Sequence, residues 1–299
     1  MIAELLTTGF GYHDTQSERL ADELETVTME PVDAVHWVRL LHISNHTIGE
    51  HLGDWDRAQR LAERVLDGRT ANAETSPAWA RLATARFLAG DVLGSIAAEI
   101  EALRAASDIR GGYIDAKISL AVGLLGSGRI DDGAALYEVV LAMADPLTPS
   151  PTDRGIAVAS NNLASDLLEM TNRLPAQDRL MVRASEAAYV FWRKAGTWVN
   201  EERALYLKAL VSNSLGNPSG ALIHADAALG LIAANGSEPV DVVFLTLARA
   251  NSLRLLSDES GFAAALSVAD AGAAAWDDEG LRAWYAEERA KIAGVIVPE

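Results

Sequence analysis

Six histidines occur in the chain, and four of them, His36, His42, His46 and His51, fall within sixteen residues. His42, His46 and Glu50 are spaced i, i+4, i+8, which on an α-helix shares one face. Two imidazoles one turn apart, with a carboxylate as third donor, can ligate zinc. The spacing lacks the glutamate that stands between the histidines of the HExxH helix. The expectation is therefore no bound metal and no cofactor. A metal-dependent, enzyme-like module using His42 and His46 is the alternative.

Other residues with catalytic chemistry give less. The carboxylate pairs Asp22-Glu23, Asp131-Asp132, Glu201-Glu202 and Asp277-Asp278 sit at expected helix starts or on exposed faces. Acids near a helix N-terminus favour its dipole, so these pairs read as solvated rather than catalytic. No GxxxxGK, GxGxxG or GxSxG segment is present, which leaves nucleotide cradles and a nucleophile elbow without support. With no cysteine in the chain, disulfides, thiolate zinc sites and thiol catalysis are excluded. No catalytic residue is assigned.

Charge narrows the partners. The chain carries 25 Lys plus Arg against 42 Asp plus Glu, a formal charge of −17. A surface this acidic repels phosphate backbones and anionic lipid, so neither nucleic acid nor membrane is an expected partner. The opening MIAELLTTGFGYHD lacks a basic and then apolar signal-peptide pattern. No run approaches the ~20 apolar residues of a membrane span. The expectation is a cytoplasmic protein.

The elements that would position these side chains repeat. Around Leu52-Gly53-Asp54-Trp55 one helix ends and a second begins. The turn returns as Ala89-Gly90-Asp91, Ser127-Gly128-Arg129, Thr171-Asn172-Arg173, Leu215-Gly216-Asn217 and Ser257-Asp258-Glu259, at intervals from 37 (90 − 53) to 44 (216 − 172) residues. Such a period is the mark of a helical-hairpin solenoid. No segment alternates like a strand for a convincing length, so the expected fold is all-α: about six antiparallel helix hairpins with capping helices at both ends. Residues 1–33 form the N-terminal capping segment, with a helix over 16–28 and another opening at Pro31. Residues 34–275 carry the hairpins, and 276–299 form the C-terminal cap. Asp145-Pro146-Leu147-Thr148-Pro149-Ser150-Pro151 punctuates the chain between the third and fourth hairpins, because proline cannot continue a helix.

Gly53-Asp54-Trp55 with Ala58 and Ala62, Trp79 with Leu82-Ala83 and Gly90-Asp91, Leu120-Ala121 with Gly128 and Tyr137, and Gly216-Asn217 with Ala221 and Ala225 together resemble the tetratricopeptide-repeat (TPR) family. The fourth and sixth hairpins depart from its pattern, having no glycine at the turn. The resemblance implies a right-handed superhelix whose first helices line a concave groove, and a role in binding peptides or protein segments, without a reaction. It places His42 and His46 against the second helix of their own hairpin. Mapped onto this chain, the groove positions include Ile43, Thr84, Phe87 and Ile118 in the first half and Asn162, Asp166, Arg203, Tyr206, Asn213 and Arg249 in the second. The family's basic clamp for a terminal carboxylate is unmatched. The resemblance thus implies a non-enzymatic adaptor or regulator, with a peptide or small-ligand sensor as the alternative. A homo-oligomer is left open.

Overall fold

The computed structural model describes residues 2–13, 15–27, 33–145 and 147–293. The helix start expected at Pro31 lies outside them. Among the described residues there is no strand, and no helix is long and apolar enough to cross a membrane. The chain divides into two compact units, Met1–Gly155 and Ile156–Glu299. The division falls just past the proline-punctuated connection.

The first unit holds α1 (Ile2–Thr8), a 3-10 turn (Gly9–Gly11), α2 (Ser17–Thr26) and α3 (Ala34–Ser44), which runs directly into a π-helical turn (Asn45–His51). It continues through α4 (Trp55–Leu66), α5 (Ser76–Leu88), α6 (Val92–Ala105), α7 (Ile109–Gly126) and α8 (Ile130–Met143). Helix α9 (Asp153–Glu169) begins at the division. The second unit continues with α10 (Pro175–Ala195), α11 (Trp198–Ser214), α12 (Pro218–Asn235), α13 (Pro239–Leu255), α14 (Glu259–Ala274) and α15 (Glu279–Ala293). Consecutive helices pair as α5 with α6, α7 with α8, α11 with α12 and α13 with α14, and α5 also packs on α7 and α11 on α13.

One hydrogen-bonding device recurs at five helix–helix junctions among the described residues. The backbone N–H groups of Asp54, Asp91, Arg129, Asn217 and Asp258 reach back to the carbonyls of Ile48, Arg86, Leu124, Ser212 and Leu253, at 2.8–2.9 Å. That bond needs a left-handed residue just before the donor. Gly53, Gly90, Gly128 and Gly216 supply it with φ between 70° and 93°, and Ser257 supplies it at φ 61°. The donor residue then caps the next helix: the side chains of Asp54, Asp91, Asn217 and Asp258 accept from backbone N–H groups three residues on. At the fourth junction, Arg173 takes the place of the glycine. Its Nη1 donates to the carbonyls of Leu167, Leu168 and Met170 at 2.8–3.2 Å, closing the end of α9.

In the first unit α1 and α2 pack into a shared hydrophobic cluster. Leu6, Leu20 and Leu24 are fully buried in one cluster with Leu40, Leu41, Ile43, Ile48, Leu61 and Val65. Arg57 of α4 ties α2 down by donating to Glu18, Asp22 and Glu25 at 2.6–3.1 Å. Small side chains bring helices together: Ala83 is buried, and its carbonyl accepts from the Ser95 hydroxyl of α6 at 2.8 Å. In the second unit α15 packs against α13 and α14. Tyr285 is buried with Phe244, Leu247 and Ala273, and Asp270 of α14 accepts from its hydroxyl and from the Arg289 guanidinium.

Candidate functional site

The π turn decides where the histidines go. Within it the N–H of Leu52 donates to the carbonyl of Thr47, five residues back. Such i→i+5 bonding stacks residues five apart, whereas on an α-helix they would point about 140° from each other. His46 and His51 therefore share a face, with their Nε2 atoms 3.2 Å apart. Gly49 permits the turn to sit tightly, because the Trp55 ring packs where a side chain would be: a Cβ there would lie 2.6 Å from Trp55 Cε3. His13, between the 3-10 turn and α2, completes the group, with its ring centre 5.0 Å from that of His46 and 5.3 Å from that of His51. One ligating atom from each of the three lies within 4.8 Å of the others.

His42 is not in this group. Its side chain is exposed, and the crowding of protein around it, then the charges of Arg81 and His46, hold its ring below the usual imidazole range. Of the alternative pair His42 and His46, only His46 belongs to the cluster, which is completed by His13 and His51. Glu50 does join: its Oε2 is 2.7 Å from His46 Nδ1.

The expected groove residues of the first unit lie mostly within its walls. Ile43 and Ile118 are buried side chains. Thr84 is buried too, its hydroxyl donating to the Ala80 carbonyl and bonded to Ser119 across to α7. Phe87 is partly exposed, with the Arg129 guanidinium 5.7 Å above its ring.

In the second unit, Asn162 of α9 is exposed and Asp166 of the same helix is exposed. Arg203 is exposed and paired, Nε to Asp241 at 2.9 Å with Glu238 further off. Arg249 pairs with Asp226 of α12 at 2.9 Å. Tyr206 is partly buried among Val240, Val243 and Phe244, and burial raises its hydroxyl pKa. Asn213 is buried and bridges α11 to α13, donating to the Ala248 carbonyl and accepting from Ser252.

Glu202 corrects the reading of Glu201-Glu202 as a solvated pair. Adjacent helix positions diverge, so Glu201 faces Arg193 while Glu202 turns inward with a side chain 0% exposed. Burial, then the hydrogen bond and charge of Asp241, push its carboxyl up to about 8 against the pull of Arg203.

One surface was not anticipated. On α6, Val92, Leu93, Ile96 and Ile100 are 49%, 81%, 51% and 41% exposed. Leu93, Ile96 and Ile100 follow the i, i+3, i+7 rule of a single face. Beside them opens a cleft lined by Trp79, Arg86, Ile100, Glu101 and Arg104. The indole N–H of Trp79 is buried without an acceptor. The signal was present in the helix VLGSIAAEIEALRA, which is apolar around more of its circumference than α5 can cover.

No protein-family model matches the chain, and no curated protein matches its sequence. Among solved structures, BtubC (BKLC) from P. vanneervenii aligns at 18% identity over 88% of this chain and 92% of that one, with a TM-score of 0.47. The apo form of the quorum sensor NprR from B. thuringiensis aligns at 12% identity over 90% of this chain and 86% of that one, with a TM-score of 0.37. Both likenesses are too remote to carry function across.

Proposed function

We propose that the chain is a non-enzymatic adaptor or regulator of the cytoplasm that binds a protein or peptide segment, built as a right-handed superhelix of TPR-like hairpins. The observation that carries this reading is the aliphatic stripe on α6. Four large apolar side chains stand exposed together on one short helix, in a chain with charge enough to cover it. A contiguous apolar patch rimmed by charge marks a docking surface more often than isolated exposed residues do. The adjacent cleft offers an indole and two arginines, the residue types that anchor interfaces. Phe87 in the first unit and Asn162, Asp166, Arg203, Tyr206 and Arg249 in the second are the candidate further contacts. Thr84, Ile43, Ile118 and Asn213 hold the helices that present them.

The test is cross-linking of the protein to its partner in cells, quantified by mass spectrometry, for the wild type and for Leu93→Asp with Ile96→Asp. The expected result is at least a tenfold loss of the captured partner with an unchanged melting temperature, since neither side chain is in the core. Undiminished capture by the folded variant would refute the role of α6. Arg203→Ala with Arg249→Ala then tests the second unit: loss of binding with intact melting makes those arginines contacts, and loss of melting with intact binding makes them structural.

A further inference from the structure

We propose that His13, His46 and His51 bind one zinc ion through their Nε2 atoms, with a fourth position left to water or to a donor from outside the chain. The proposal stands on different residues from the partner-binding reading and does not depend on it.

Three features of the cluster point the same way. The first is tautomer. His46 Nδ1 lies 2.7 Å from the Glu50 carboxylate and His13 Nδ1 lies 2.8 Å from the Phe10 carbonyl. A carboxylate and a backbone carbonyl both accept, so each Nδ1 is the donor and Nε2 is the ring nitrogen placed to ligate. An imidazole whose far nitrogen donates to a carboxylate or a backbone carbonyl is the usual form of a metal-ligating histidine. The second is spacing. Nitrogens held tetrahedrally at about 2.0–2.1 Å from zinc stand about 3.3–3.4 Å apart; His46 Nε2 and His51 Nε2 are hydrogen-bonded at 3.2 Å, a separation the ion would keep while the His51 proton moves to its other ring nitrogen. The third ligating atom is within 4.8 Å of both, so a modest turn of the His13 ring completes the set. The third feature is the backbone. An extra residue in a helix turn costs hydrogen-bond geometry, and π turns recur at functional sites. Here that turn brings two ligands together that an α-helix would separate.

Ligand type selects the ion. Three neutral imidazoles suit zinc and its neighbours rather than magnesium or calcium, which take oxygen. Three protein ligands leave one tetrahedral position, and His51 is on the exposed side of the cluster. Phe10 lies against His13, His42 and His46, with ring centres 5.5–6.4 Å apart, and gives the cluster an apolar wall. The ion would join the segment between α1 and α2 to the end of α3, so that binding also holds the N-terminal helices in place.

The experiment uses the tag-free full chain, stripped with chelator and titrated with zinc by calorimetry. Elemental analysis follows, and melting temperatures are measured with and without zinc. The expected outcome is one zinc per chain and a melting temperature that rises with zinc concentration. His13→Gln and His51→Gln should each bind at least tenfold more weakly, Glu50→Gln about 10–100-fold more weakly, and His224→Gln as tightly as the wild type. Cobalt(II) should give the strong visible absorption of a tetrahedral site in the wild type and lose it in His51→Gln. Since His51 is exposed, His51→Gln remains informative even if His46→Ala fails to fold. Two results would overturn the proposal. One is a folded wild type that does not saturate at one equivalent. The other is unchanged zinc affinity in His13→Gln and His51→Gln proteins that melt like the metal-free wild type.

Discussion

Glu202 keeps both carboxyl oxygens buried without a hydrogen-bond donor, beside the Asp241 carboxylate, while the nearest cation, Arg203, stands closer to Asp241. An ionised Glu202 would be a second negative charge in the same pocket, whereas a protonated one donates to Asp241. That is why burial and Asp241 raise its pKa to about 8. Above its unfolded value and below 8, the folded chain holds a proton that the unfolded chain has released. The stability from this group is therefore fully present below the unfolded pKa and is lost as pH rises through the folded one. A tenfold difference in proton affinity between folded and unfolded chain corresponds to about 1.4 kcal/mol, and neighbouring groups share the effect. Wild-type stability should accordingly fall by roughly 1–3 kcal/mol more between pH 5 and 8 than that of Glu202→Gln. Chemical denaturation of both proteins across that range checks this, and parallel pH profiles would show that Glu202 is ionised in the folded state. The sequence could not separate Glu201 from Glu202. Only the direction of each side chain on α11 distinguishes them, and packing against α13 sets that direction.

The turns between helices were legible because their chemistry is local. A glycine after a helix, followed by Asp or Asn, is enough to specify both the closing bond and the next cap, as at Gly53, Gly90 and Gly216; Gly128, followed by Arg129, makes the closing bond alone. The two exceptions make the physics testable. Ser257 performs the glycine's role at φ 61°, where a side chain is strained by about 1–2 kcal/mol and glycine is penalised by unfolded-state entropy of about 0.4–1 kcal/mol. Ser257→Gly should therefore stabilise by up to about 1 kcal/mol, read as a shift in denaturant midpoint; a loss of stability would mean that the serine side chain contributes more than its strain. Arg173→Ala should cost about 1–3 kcal/mol, because it strips three carbonyls at the end of α9 of a charged donor. The π turn was not legible at all. Residues 45–51 read as ordinary helix, and the extra residue shows only in the tertiary setting, where Trp55 packs on Gly49.

At the scale of the molecule, the charge of −17 acts on every encounter. It slows approach to polyanions and speeds approach to basic partners, and both effects fade as salt shortens the ~8–10 Å Debye length. No mobility shift is expected with duplex DNA at about 0.15 M salt, and saturable binding there would show a local basic surface strong enough to overcome the field. Association with a cognate partner that carries net positive charge should slow as salt is raised.

The amino-acid sequence alone determined that the protein is all-α, where most helices start and stop, and that hairpins repeat along it. Those properties follow from apolar periodicity, glycine and proline placement and capping residues, each of which acts over a few positions. The tertiary structure alone decided which polar residues meet. His13 reaches His46 across 33 (46 − 13) positions, Arg203 meets Asp241 rather than solvent, and Asn213 spends its amide on α13. It also decided which apolar faces remain uncovered, leaving α6 with a bare stripe while Ile43 and Ile118 are enclosed. Contacts between residues far apart in the chain depend on how helices rotate about their axes. One residue more or less in a turn, as at Asn45–His51, swings every side chain beyond it, so no local pattern encodes the outcome.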